Sequence, residues 1–280
     1  MKHAFLILCC SVAHLVGAEG LTVTSGVTFE PGLPYYGGIA SAFVVGVKVT
    51  GIVTAAAPLP MSIADVTVDV CGSAAPLYAV ADLGGYQQIN FQVPWESRLV
   101  SDGFYVRCLV TVRQGAFQVT QNAYVRDRTS ADLFFTREYI GLFQHGSDYS
   151  PVTREHPALP GEVVILYAAA LPQTDPPVPA GAASPFSPLA VVQQYASVGG
   201  IREVTLQFDS AGGGVRPLFV GLAPGHVGLY QLNFQVPETL TPGDHVLRVV
   251  IGWCGAFHGT GCTAPSSIKL SNPVILPVGS

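Results

Sequence analysis

The chain has 280 residues, enough for one or two domains. Only 11% of it is charged, against about 25% in an ordinary domain, while 49% is hydrophobic and the formal net charge is −5. No basic run or stripe is present, which excludes nucleic acid as a partner class, and so apolar a composition excludes a disordered chain.

The first 18 residues read as an export signal. Lys2 and His3 form a short positive region, Ala4 to Leu15 an apolar run, and Val16-Gly17-Ala18 a small-residue cleavage site, with cleavage expected after Ala18. The run is too short and wrongly flanked for a membrane-spanning helix. Leu8 stands before Cys9 where a lipoprotein signal needs a small residue, so no lipid anchor is expected. The chain is expected to be secreted, with a first β-sandwich over 19–130, a crossing segment over 131–160 and a second β-sandwich over 161–280.

After the leader, short apolar runs alternate with Gly/Pro punctuation. Phe43, Val45, Val47 and Val49 fall on one face of an expected strand, and Val66, Val68 and Val70 on another. Phe104 to Val112 repeats the alternation, and a turn at Gln114-Gly115 leads into Ala116–Val125, which reads as a hairpin. Phe134, Phe135, Tyr139 and Phe143 precede HGSDYSPVTREHPALPGE, the expected crossing segment. Val163–Tyr167 is a continuous β-rich run, suited to a strand buried on both faces. Pro172 to Pro188 is proline-rich and reads as a surface loop, Ala211–Gly214 as a hairpin turn, and His245–Ile251 as a further strand. No window after residue 18 carries a helical period.

The chain repeats itself. QINFQVP spans Gln88–Pro94 and QLNFQVP spans Gln231–Pro237. PLY at Pro76–Tyr78 precedes the first and PLF at Pro217–Phe219 the second. GAF follows each, at Gly115–Phe117 and at Gly255–Phe257. In the first phrase Ile89, Phe91 and Val93 share one face and Gln88, Asn90 and Gln92 the other. In the second, Leu232, Phe234 and Val236 oppose Gln231, Asn233 and Gln235. This is a strand with one face in a core, ended by Pro94 or Pro237, which have no N–H to donate. The carboxamides have two readings: an outward face that is solvated or bonded to a loop backbone, or a neutral surface that docks another domain, a subunit or a glycan.

Four cysteines remain beyond the leader: Cys71, Cys108, Cys254 and Cys262. An even count in an exported chain points to two disulfides. The expected pairs are Cys254–Cys262, which closes a short loop, and Cys71–Cys108. The second is at odds with strand phase, because Cys71 continues the polar face of Asp65, Thr67 and Asp69 unless the chain turns at Gly72. No CxxC and no spaced His pair offers a zinc site, and Asp65 and Asp69 lack a calcium-loop pattern, so no metal and no cofactor is expected.

No GxSxG elbow is present. The best polar cluster is His145, Ser147, Asp148, Glu155 and His156, read as ordinary loop residues rather than a catalytic set, and AGGG lacks the lysine of a phosphate loop. Aromatic residues near expected turns or strand ends, Tyr35, Tyr36, Trp95, Tyr149, Trp253 and Phe257, either cap the core or offer flat faces for a sugar. Trp95 and Trp253 are the principal candidates.

PLYAVADLGGYQQINFQVPWE, HGSDYSPVTREHPALPGEVVILYAAAL, PLFVGLAPGHVGLYQLNFQVP and SNPVILPV, taken in order from about Val23 to Val278, resemble the carboxy-terminal domain family of acidobacterial secreted proteins, the Solibacter C-terminal domain. The resemblance implies extracellular β-sandwich modules and implies no activity. Such domains usually end a longer protein, whereas this one follows a signal peptide, so the module itself is expected to be the functional unit. The family's YATGLG also reads YAAALP here, at Tyr167–Pro172.

The sequence therefore points to an all-β protein of two tandem immunoglobulin-like β-sandwich domains. Its expected role is non-enzymatic: extracellular structural or adhesive work, through self-association or an extracellular protein or glycan partner. A carbohydrate-binding module is the alternative.

Overall fold

The structure is a computed structural model and describes residues 20–98, 100–101, 106–126, 131–192, 201–209, 214–254 and 267–280. Every regular element among them is a β-strand. Contacts divide the chain into two units. The first takes in the chain up to Arg128 together with Val178–Ser184 and Gly225–Gly228, and the second the remainder from Thr129.

The first unit contains β1 (Leu21–Ser25), β2 (Ile39–Val44), β3 (Ile52–Thr54), β4 (Val66–Val70), β5 (Ser73–Ala74), β6 (Leu77–Asp82), β7 (Gln87–Gln92), β8 (Val100–Ser101), β9 (Val106–Gln114) and β10 (Phe117–Tyr124). One sheet runs β1-β2-β7-β6-β3 and the other β10-β9-β4-β5, with β8 also on β9. Setting aside the short β3, β5 and β8, this is the four-plus-three antiparallel order of an immunoglobulin constant-type sandwich. Val66, Val68 and Val70 alternate with half-buried Thr67 and Asp69, so β4 buries one face. Both sheets contribute to one core: Leu21, Val23, Leu77, Ile89 and Phe91 from the first, Val68, Val110 and Val112 from the second.

The second unit contains β11 (Asp132–Leu133), β12 (Phe143–His145), β13 (Val163–Ala169), β14 (Thr174–Asp175), β15 (Val191–Val192), β16 (Ile201–Phe208), β17 (Phe219–Leu222), β18 (Tyr230–Gln235), β19 (Gly243–Cys254), β20 (Ser267–Leu270) and β21 (Val274–Val278). One sheet runs β11-β13-β18-β17-β15-β14 with β12 on β13. The other runs β16-β19-β20 with β21 on β19. In its core the Phe234 ring lies 6.1 Å from Phe208 of the facing sheet and 6.4 Å from Phe143. The arrangement β12-β13-β18-β17 against β16-β19-β21 repeats β1-β2-β7-β6 against β4-β9-β10.

Three expectations change. The strand expected over Phe43–Val49 ends at Val44, because Gly46 adopts φ +115° and a side chain there would strike the Phe117 ring; Val45 is exposed as a result. The stretch 131–160, expected to cross between sandwiches, supplies β11 and β12, which pair with β13 and belong to the second sandwich's sheet. These strands are too short, and too interrupted by turns, to leave a two-residue period. Within Pro172–Pro188, expected to be a surface loop, Thr174–Asp175 pair with Val191–Val192, and Gly181 is fastened into the first unit by its carbonyl, which accepts from Leu59 N–H at 2.8 Å. The Gln114-Gly115 hairpin, the Val163 strand and the His245 strand stand where expected. Most of the Ala211–Gly214 turn lies outside the described residues.

Candidate functional site

The two heptapeptides form β7 and β18 and sit in the same register. Phe91 opposes Ala40 of β2, and Phe234 opposes Val164 of β13. Ile89, Phe91, Val93, Leu232, Phe234 and Val236 are all fully buried. The equivalence extends to the loops at the strand ends. Gly37 N–H donates to Val93 O and Val93 N–H to Gly38 O, both at 2.9 Å; Gly161 N–H to Val236 O and Val236 N–H to Glu162 O repeat this at 2.9 Å. The last carboxamide has one job in both copies. Gln92 Nε2 donates to Gly37 O at 3.1 Å and Gln235 Nε2 to Gly161 O at 2.9 Å.

The carboxamide faces nonetheless differ. Gln88, Asn90 and Gln92 are not an outward face: they are buried, at 2%, 6% and 4% exposure. Ser41 Oγ and Gln88 Nε2 each donate to Asn90 Oδ1 at 2.8 Å. Gln92 Oε1 accepts from Gly181 N–H at 2.7 Å, so a loop from far along the chain covers this end of the face. In the second copy Gln231 and Asn233 are half-buried and Gln235 is exposed. Position 165, which faces Asn233, is isoleucine where Ser41 faces Asn90. Consistent with that change, Asn233 Oδ1 is buried without a hydrogen-bond partner among the described residues.

Of the six aromatic candidates, three come together in the first unit. Tyr35 and Tyr36 lie on the loop before β2, and Trp95 on the turn after β7. The Tyr35 and Tyr36 ring centroids are 4.4 Å apart, and those of Tyr36 and Trp95 are 6.2 Å apart with 35° between the planes. Gly37 makes this possible. It has φ +74°, and a Cβ there would collide with the Trp95 indole, whose Cε2 would lie 2.9 Å away. All three rings are half-buried, and Glu96 and Arg98 are exposed on the same turn as Trp95. Tyr149 belongs to the second unit and is exposed there. Trp253 lies on β19, but its side chain and all of Phe257 fall outside the described residues.

The polar cluster of the second unit is organised for structure. His145 Nδ1 meets Glu162 Oε1 at 2.8 Å and its Nε2 faces His156 O at 3.4 Å. The His145 and His156 rings lie 4.1 Å apart. Its two nitrogens are turned to a carboxylate and a backbone carbonyl rather than to a hydroxyl or thiol, so no nucleophile is placed for it to activate. Asp148 accepts from the N–H and hydroxyl of Ser150, at 2.9 and 2.7 Å. Those bonds hold its carboxyl below the usual aspartate range, with His145 and His156 adding to the effect. Ser147 and Glu155 are exposed beside it. Glu162, the partner that anchors His145, was not singled out from the sequence; its place next to Gly161 at the start of β13 was the only signal.

Cys71 and Cys108 form a disulfide with Cα atoms 5.3 Å apart. The phase conflict is resolved by the backbone. Cys71 at φ 51° and Gly72 at φ 84° turn the chain at the end of β4 and swing the sulfur toward Cys108. Asp69 Oδ1 accepts from Gly72 N–H at 2.9 Å, which holds the turn. Cys262 and the Cys254 side chain fall outside the described residues. Among the described residues no group of three or more His, Cys, Asp or Glu could hold a metal ion, and no helix is long and apolar enough to cross a membrane.

No protein-family model matches the chain, and no curated protein does. A titin structure, Titin-A168169, aligns over 89% of this chain and 95% of its own at 17% identity, with a TM-score of 0.20. A chimeric titin Z1Z2 carrying an exogenous decorin peptide aligns over 93% and 98% at 12% identity, TM-score 0.18. The C-terminal domain of the Streptococcus agalactiae AgI/II polypeptide BspA aligns over 92% and 99% at 10% identity, TM-score 0.19.

Proposed function

We propose that the protein is a secreted, non-enzymatic structural or adhesive β-sandwich protein that works outside the cell and associates with itself. One observation carries this reading: among the described residues, the best-placed polar side chains are engaged in fastening the fold. Both nitrogens of His145 face acceptors. Gln92 and Gln235 secure loop glycines. Asp69 and Asp148 secure turns.

Secretion is supported by the leader-like first 18 residues and by the Cys71–Cys108 bridge, a bond that persists mainly in oxidising compartments. The resemblance to acidobacterial secreted modules points the same way. Self-association is supported by low charge and by β10. This strand ends its sheet and carries no charged residue and no proline over Phe117–Tyr124; the Leu33 segment covers its edge at Tyr124 and Val125, and the rest of the strand relies on neither charge nor proline to blunt it.

Sedimentation of the mature protein across a wide concentration range, with electron microscopy of the same samples, tests the reading. Concentration-dependent oligomers or fibres are expected. A strictly monomeric species at high concentration overturns self-association, and recovery of only cytoplasmic protein from the native host overturns secretion.

A further inference from the structure

We propose that Tyr35, Tyr36 and Trp95 form a saccharide-binding platform on the first sandwich, which takes the apolar face of a neutral pyranose ring. This gives the adhesive reading a ligand class and rests on it.

The duplication provides an internal control. The loop carrying Tyr35 and Tyr36 and the turn carrying Trp95 have counterparts in the second sandwich with the same backbone bonds. Gly38 N–H donates to Tyr35 O at 3.0 Å, as Glu162 N–H does to Leu159 O at 3.1 Å. Ser97 N–H faces Pro94 O at 3.4 Å, as Leu240 N–H does Pro237 O at 3.2 Å. These bonds align Tyr35 with Leu159, Tyr36 with Pro160 and Trp95 with Glu238. The second copy thus closes the same loop and turn without an aromatic residue at these positions. Tyr35 and Tyr36 pack partly against the core of the first sandwich, but the second copy closes the equivalent loop and turn with no aromatic residue, so closing the fold does not by itself call for three rings here.

The chemistry fits a sugar. The C–H bonds on one face of a pyranose carry partial positive charge and lie favourably over the negative face of an aromatic ring. Gly37, lacking a side chain, lets the Trp95 indole pack closely against it, with the Tyr36 ring inclined 35° to Trp95 and the Tyr35 ring 55° to Tyr36. Rings held by the core and by a glycine lose little freedom on binding, which lowers the cost of capturing a weak, neutral ligand. Exposed Glu96 and Arg98 on the Trp95 turn supply an acceptor and donors for ring hydroxyls. A nucleic acid base would stack equally well, but a chain of net charge −5 without a basic stripe does not draw its phosphates.

The test is titration calorimetry of the mature protein with soluble cello-, xylo- and chito-oligosaccharides, alongside a glycan array and a proline-rich peptide panel. Binding to at least one saccharide is expected, weakened tenfold or more by Trp95→Ala and several-fold by Tyr36→Leu. Leu159→Ala and Glu238→Ala, at the matching positions of the second copy, should leave it unchanged. If Trp95→Ala does not fold, Trp95→Phe, which keeps a ring, and Tyr36→Leu decide the matter. No saccharide binding on the array or by calorimetry overturns the platform. So does binding that survives both ring substitutions, or binding to proline-rich peptide alone. Sedimentation of the same samples separates the two proposals, since oligomers that form without any saccharide affinity remove only the platform.

Discussion

Gln92 Nε2 donates to the carbonyl oxygen of Gly37 at 3.1 Å. Gln235 makes the corresponding bond to Gly161, and the flanking backbone bonds match as well. A strand that ends in Gln-Val-Pro therefore has a mechanical use. Proline stops the ladder, valine fills the core, and the glutamine reaches sideways to hold the loop entering the neighbouring strand. That use explains why the phrase is kept twice with no charge in it.

The two glutamines differ in cost of removal. Gln92 is buried and also accepts from Gly181 N–H. Gln92→Ala would leave a buried carbonyl and a buried N–H without their bonds, at about 2–4 kcal/mol. Gln235→Ala, at an exposed site, should cost below about 1 kcal/mol. Urea unfolding of the two variants checks the difference, and equal losses would contradict the assigned roles.

Asn90 and Asn233 should respond in opposite directions. Asn90 Oδ1 accepts from Ser41 and Gln88, so Asn90→Val takes a buried acceptor away from two buried donors and should destabilise by about 1–3 kcal/mol. Asn233 Oδ1 is buried without such a bond among the described residues, and valine suits a half-buried strand position, so Asn233→Val should be neutral or stabilising. Thermal unfolding of both variants reads this out.

Cys71 and Cys108 are 37 residues apart. Replacing both with serine should lower the stability of the first sandwich by about 2–4 kcal/mol, chiefly by freeing its unfolded chain. Wild-type protein in reducing buffer should approach the variant's denaturant midpoint, and a midpoint unmoved by either treatment would refute the assignment.

His245 gives the fold a pH-dependent contact. Its Nδ1 meets Asp209 Oδ2 and its Nε2 meets Thr241 O at 2.7 Å. Burial opposes the charge on the imidazole, but the Asp209 carboxylate and the Thr241 carbonyl outweigh it, and the pKa rises above its ordinary 6.5. Asp209 moves the opposite way. Burial raises it, but the bonds from His245 and from Val246 N–H prevail and bring it below 3.8. The histidine's contribution is full below 6.5 and is lost as pH rises through its raised folded value. The aspartate's is full above 3.8 and is lost as pH falls through its lowered one. Stability from this pair should therefore peak between these limits. His245→Gln should flatten the decline of stability toward alkaline pH, measured by denaturant unfolding across the range.

Much was legible in the residues alone. Alternation in Gln88–Pro94 and Gln231–Pro237 determined that Phe91 and Phe234 point into cores, because a strand has a side-chain period of two whatever surrounds it. Recurrence of the phrase determined the duplication, and the even cysteine count pointed to two disulfides without choosing among their three pairings; Cys71–Cys108, expected as a pair within the first half, ran against strand phase. Tertiary structure decided the rest. Whether the face of Gln88, Asn90 and Gln92 is wet depends on what lies over it, and part of that cover is Gly181, far along the chain. Whether residues 131–160 form a crossing or strands depends on pairing with β13, which no local period records in elements of two and three residues. That Tyr35, Tyr36 and Trp95 meet depends on Gly37 lacking a side chain where the loop and the turn close together. Local pattern settles which way a side chain points; only long-range contacts settle what it meets there.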